Sequence, residues 1–184
     1  MKNLSIIFLI FCFFGQINTY SQTKTKTASD IYSKKSLELI RDILSDEYNT
    51  CDCILQPPQK PTLQAFEDEV PHFNYEKYLL ETFGLTEKSD IENLHGINEE
   101  LILEPNNFPR DIKIIYRSEW NAIFSKYGFN ARDTIFKRYP NLCYLTKPIF
   151  DKEYKTAIIT IDYGGCLWFP PSRIQQINGT WEYY

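Results

Sequence analysis

The chain reads as an α+β domain, with N-terminal and central helices packed on a C-terminal antiparallel meander of about four strands. Three observations predict this. Leu37, Ile40, Ile43, Leu44 and Tyr48 recur at helical spacing. From residue 142 onward the chain breaks into short Ile-, Thr- and Tyr-rich segments separated by turn residues. Asn178-Gly179 lies between two such segments, and both residues tolerate the positive φ of a tight hairpin.

The N-terminus precedes any domain. Lys2 is followed by an apolar run from Leu4 to Phe14, then by polar residues and the small-x-small site Thr19-Tyr20-Ser21. This is the pattern of a cleavable secretory signal, with cleavage expected after Ser21. The run is shorter than the roughly 20 residues of a membrane-crossing helix. A lipid-modified Cys12 is disfavoured, because Phe11 is bulky and Phe13-Phe14 continue the run. The expected organisation is a signal peptide at 1–21, a flexible tail at 22–29 and one α+β domain at 30–184. The protein is expected to be exported, to the periplasm or beyond the cell, with no stable membrane insertion after signal cleavage.

Composition narrows the function classes. A net charge of −4, lowered by one more when Lys2 leaves, provides no basic surface built for a phosphate backbone, so nucleic acid is not an expected partner. Thirteen Tyr, thirteen Phe and three Trp suit a packed domain rather than a disordered chain.

The elements follow in order. DIYSKKSLELIRDILSDEYN at 30–49 is an amphipathic helix, capped by Ser29 or Asp30 and ended by Asn49. CDCIL at 51–55 has strand character, and the prolines of QPPQKP at 56–61 stop it. NYEKYLLETFG at 74–84 is a second helix, with Asn74 as cap and Gly84 as stop. TEKSDIENLHG at 86–96 is a third, shorter one, capped by Thr86 and ended by Gly96, with His95 suited to its C-terminal dipole. Leu101–Leu103 is a candidate strand, PNNFP at 105–109 is turn chemistry, and DIKIIYR at 111–117 is β-like. Ser118 then caps a helix in which Trp120, Ile123, Phe124 and Tyr127 form one apolar stripe. A further helix, ARDTIFKRYP, stops at Pro140. LCYLTKPIF, TAIITIDY, SRIQQI and TWEYY are the strands, and TAIITIDY sets Thr156, Ile158, Thr160 and Asp162 on one face.

Four cysteines follow the signal: Cys51, Cys53, Cys143 and Cys166. An even number in an exported chain predicts disulfides. Cys51 and Cys53 are poor partners for each other. In an extended strand both point to one face, so each is expected to meet one of the distant pair. The competing expectation is a metal site on Cys51 and Cys53 with His72 or His95, although structural zinc sites bring two paired ligand clusters and this chain has one.

The C-terminal half resembles a group of small exported Gram-negative bacterial proteins of uncharacterised function. The resemblance is carried by SEWNAIF, FKRYPN, LTKPIFDKEYKTAIITIDY, the Gly164-Gly165-Cys166 turn and NGTW, with TEKSDIENL similar to that group's mid-chain acidic helix. It covers about residues 86–184. It implies a shared fold and an extracytoplasmic address, and no activity. This chain departs from the group after Cys166, where Leu167-Trp168-Phe169-Pro170-Pro171 stands in place of further glycine.

Motifs for chemistry are sparse. The chain has no Gly-x-Ser-x-Gly elbow, phosphate-cradling loop, dinucleotide fingerprint or His-Glu-x-x-His. His72 lies close to Asp68 and Glu69, which makes these three the candidate catalytic set of a secreted hydrolase. Trp168 and Phe169 on a proline-stiffened loop are candidate binding anchors, although the same residues also suit a sheet-closing role. The expectation is a non-catalytic binding module, inhibitor- or immunity-like, without a cofactor. Its partner is expected to be another protein or a cell-envelope component. The alternatives are the hydrolase and a structural envelope protein.

Overall fold

One long, kinked hairpin joins the two halves of the sheet structure. The computed structural model describes residues 27–45, 51–58, 74–108, 111–163 and 171–184. In it the first arm of the hairpin is β3 (Leu142–Leu145) followed by β4 (Ile149–Phe150). The second arm is β5 (Thr156–Ile159) followed by β6 (Ile161–Tyr163). The arms pair antiparallel, β4 with β5 and β3 with β6. Thr146 and Thr160 mark the kink. The Thr146 amide donates to the Thr160 carbonyl at 3.1 Å, and the Thr160 amide donates to Thr146 Oγ1 at 2.9 Å.

Each end of the hairpin extends into a four-stranded sheet. On one side β5 pairs with β7 (Ser172–Ile177) and β7 with β8 (Thr180–Tyr183), giving the antiparallel order β4-β5-β7-β8. This is the antiparallel sheet of about four strands that the sequence predicts. Its β7–β8 turn uses Asn178 at φ 52° and Gly179 at φ 89°, the left-handed pair a two-residue turn requires. On the other side lies β2-β1-β3-β6, where β1 (Cys53–Leu55) runs parallel to both β2 (Lys113–Ile115) and β3.

Strand alternation assigns three clusters to two faces. Ile54, Ile114, Cys143, Leu145, Phe150, Ala157, Ile159 and Ile174 share one face across both sheets. Helix α1 (Ala28–Ser45) covers it with Tyr32, Leu39, Ile40, Ile43 and Leu44. The opposite face divides. Cys53, Leu55, Ile115, Leu142 and Tyr144 sit with α3 (Arg117–Tyr127) and α4 (Ala131–Arg138). Ile149 and Ile158 sit with Tyr75 and Leu79 of α2 (Tyr75–Phe83) and with Ile91, Leu94 and Ile97. Both faces of β5 are therefore buried, and Thr160 and Asp162 are also enclosed, rather than one face being left to solvent.

Several local expectations are corrected. Helix α1 starts two residues early, because Thr27 and Asp30 satisfy each other reciprocally: the Asp30 amide donates to Thr27 Oγ1 and the Thr27 amide to Asp30 Oδ2. Its expected end at Asn49 lies outside the described residues. Helix α2 has the predicted caps. The Asn74 side chain accepts from the Lys77 amide at 2.8 Å, and Gly84 adopts φ 63°. TEKSDIENLHG forms only a 3₁₀ segment, Lys88–Asn93, without a Thr86 cap. His95 is a β-bridge residue paired with Phe150 rather than a helix end. Leu101–Leu103 is not a strand. The Gln56 side chain replaces a strand partner, donating to the Leu101 carbonyl at 2.6 Å and accepting from the Leu103 amide at 2.9 Å. Ser118 lies within the first turn of α3 rather than capping it.

Candidate functional site

Helix α3 departs most from its expected role. The spacing of Trp120, Ile123, Phe124 and Tyr127 predicts one buried stripe, yet Ile123 is the only buried residue of the helix. Trp120 is half-buried. Its ring lies edge-on to Tyr144 of β3 at 5.5 Å, and the Phe124 ring is tilted against it at 5.1 Å. Beyond that point the row leaves the sheet. Phe124 and Tyr127 are 42% exposed and Phe129 stands fully in solvent; Tyr116, at the N-terminal end of the helix, is 46% exposed.

The geometry follows from the connection. Gly128 has φ 52°, which turns the chain out of α3 into a 3₁₀ turn at Gly128–Asn130. Helix α4 then returns at once to bury Ala131 and Ile135. The short return lets the second helix reach the sheet and leaves the end of the first projecting. Every residue from Phe124 to Asn130 is exposed. The row is thus rooted on the sheet through Trp120 and free at its tip.

Charge follows the same hairpin. Residues 117–138 carry five basic and two acidic side chains in a protein of net charge −4. Of the two acids, Glu119 is already engaged. The Tyr139 hydroxyl donates to it and Arg138 pairs with it at 3.4 Å. Lys126 lies over the Tyr127 ring at 5.1 Å, which places a cation against the exposed row. Burial, followed by its bond to Glu119, pushes Tyr139 up to about 12, so it stays a neutral donor at physiological pH.

A second polar cluster lies where His95 meets the hairpin. The His95 ring stacks on Tyr154 at 4.2 Å, and its Nδ1 is 3.4 Å from Glu99 Oε1. Glu99 Oε2 accepts from the Gly96 amide at 2.8 Å, and the buried Lys147 donates to the Glu99 carbonyl at 2.7 Å. The Tyr32 hydroxyl donates to the Pro148 carbonyl at 3.1 Å. This arrangement has an imidazole and an orienting carboxylate. Among the described residues, Glu99 is the one hydrogen-bonding side chain the imidazole meets, and a nucleophile is missing. The Glu99 carboxylate ties the 95–99 loop to itself, Lys147 holds it from the segment before β4, and the His95 backbone bridges to Phe150 of β4.

The residues singled out from the sequence divide sharply. Cys51 and Cys143 form a disulfide with Cα atoms 5.6 Å apart, as one of the expected pairings. Cys51 therefore has no thiolate for a metal, which overturns the Cys51, Cys53 and His72 metal alternative. Among the described residues no group of three His, Cys, Asp or Glu is placed to hold a metal ion. Cys53 is buried, makes no disulfide with a described residue, and has its thiol pushed up by burial. Cys51 and Cys53 do not share a face as an extended strand would require. The chain bends at Asp52, so Cys51 joins the α1 side and Cys53 the α3 side. Cys166, the catalytic candidates His72, Asp68 and Glu69, and the binding candidates Trp168 and Phe169 lie outside the described residues. The exposed row was missed because its spacing is that of an ordinary core stripe. The visible signal was Phe129, an aromatic placed directly after a helix-ending glycine.

No helix among the described residues is long and apolar enough to cross a membrane. No known protein family, curated protein or solved structure matches the chain.

Proposed function

We propose that this chain is a small exported binding module without catalytic activity, and that the aromatic row of α3 is its contact face. One observation carries the proposal: a helix that buries only Ile123 presents Phe124, Tyr127 and Phe129 to solvent together. Scattered exposed apolar residues are ordinary, whereas three exposed aromatics within six residues beside charge favour an interaction site. Rigid aromatic side chains give up little conformational entropy when they bind, and Trp120 already fixes the base of the row. The disulfide supports an oxidising compartment. The basic character of the hairpin selects a protein or envelope component with negative charge beside apolar groups.

Site-specific photo-crosslinking in producing cells tests this. A photoreactive side chain at Phe129 should capture a partner that the same group at the exposed Glu92, under the other half of the sheet, does not. Equal capture from both positions, or none from either, would refute it.

A further inference from the structure

We infer that the surface bound by the α3 row is an anionic phospholipid interface, touched peripherally by the tip of the α3–α4 hairpin. The inference rests on the row being the contact face and adds the chemistry of what it contacts. Three observations lead to lipid rather than a folded partner.

The first is shape. All residues from Phe124 to Asn130 are exposed, so the row ends on a convex tip with Phe129 outermost. A protein partner would need a matching pocket to take water off such a tip. A fluid interface closes around it without one. The second is the side-chain set. Tyr127 carries an apolar ring and a polar hydroxyl, the pairing that suits the headgroup region, while Phe124 and Phe129 are wholly apolar. The third is charge. Lys126 and Lys137 are exposed on a hairpin with an excess of basic residues, although the protein as a whole is acidic. This hairpin would then be drawn to a negative leaflet, and attraction there is additive by residue within a Debye length. With no crossing helix among the described residues, the contact is one of lying on the bilayer rather than spanning it.

Co-sedimentation with vesicles tests the inference. The protein is purified from its producing cells, so wild type and variants share one N-terminus and any contribution from that end cancels. Vesicles of phosphatidylcholine alone are compared with phosphatidylcholine containing phosphatidylglycerol. Binding should require phosphatidylglycerol, weaken as salt rises, and fall by about tenfold in F129S and again in K126E/K137E. The urea midpoints of both variants should match wild type, because the substituted residues are exposed.

Absence of binding to the phosphatidylglycerol vesicles overturns the inference, and so does equal binding by wild type and variants. If vesicles fail while a crosslinker at Phe129 captures an envelope protein, lipid is the wrong partner and the contact face stands. If vesicles bind equally across variants and the Phe129 crosslinker captures nothing, both fall.

Discussion

Cutting the Cys51–Cys143 disulfide should cost this protein a large share of its stability. The bridge closes a loop of 92 residues. On the chain-entropy account, closing a loop of that length in the unfolded chain is worth about 4.5 kcal/mol. A domain of ordinary stability holds about 5–15 kcal/mol in total. The location adds to the effect. Cys143 is the β3 partner of Ile54, and both sulfurs are buried in the cluster under α1, so the bridge also ties the start of β1 to its neighbour. The assay is urea unfolding of the oxidised protein, the reduced protein and C51A/C143A. With a slope of about 2 kcal/mol per molar, the midpoint should drop by about 2 M. The reasoning fails if mass spectrometry shows the bridge reduced and the midpoint has moved by less than about 0.5 M.

Other consequences can be checked in the same way. G96A should destabilise by about 3 kcal/mol, because Gly96 has φ +98° and an added Cβ would sit 2.1 Å from the Pro148 carbonyl oxygen; urea midpoints measure it. N74A should cost about 1 kcal/mol by removing the cap of α2, read in the same assay. Burial raises Tyr32 and Tyr75 above the ordinary tyrosine value of 10, so the folded state holds those protons longer than the unfolded chain. Their contribution is fully present below pH 10 and is lost as pH rises beyond it, which stability measured against pH should show as a falling alkaline limb. Lys147 acts in the opposite sense. Burial lowers it below 10.5, so the unfolded chain takes up its proton more readily, and its contribution rises with pH up to the ordinary lysine value; K147M should remove that rise.

What was legible in the sequence was local. Asn178-Gly179 and the Asn74 and Gly84 caps act within a few residues of themselves, and each does what its chemistry dictates. What was illegible needed a distant partner. Leu101–Leu103 looks like a strand because its three residues are apolar, and Leu101 and Leu103 are buried while Ile102 is exposed, but Gln56 supplies its hydrogen bonds from far back in the chain. The mixed sheet is built from strands of three or four residues whose pairing rests on register, and no short segment announces it. Asp52 shows how one bend reverses an inference. Its amide donates to the Asn141 carbonyl and its carbonyl accepts from the Lys113 amide, which turns Cys51 away from the face of Cys53. The α3 row is the functional counterpart of the same problem. Periodicity reports that a face is apolar, and only the fold reports whether anything covers it.

The central claim is that Phe124, Tyr127 and Phe129 serve a partner and not the core. The most direct measurement is the binding of F124S/Y127S/F129S to the envelope fraction of producing cells, membranes and proteins together, at matched urea midpoint with wild type. Binding should be lost while the unfolding free energy stays within about 0.5 kcal/mol of wild type. Retained binding, or a variant that unfolds as a core substitution would, contradicts it.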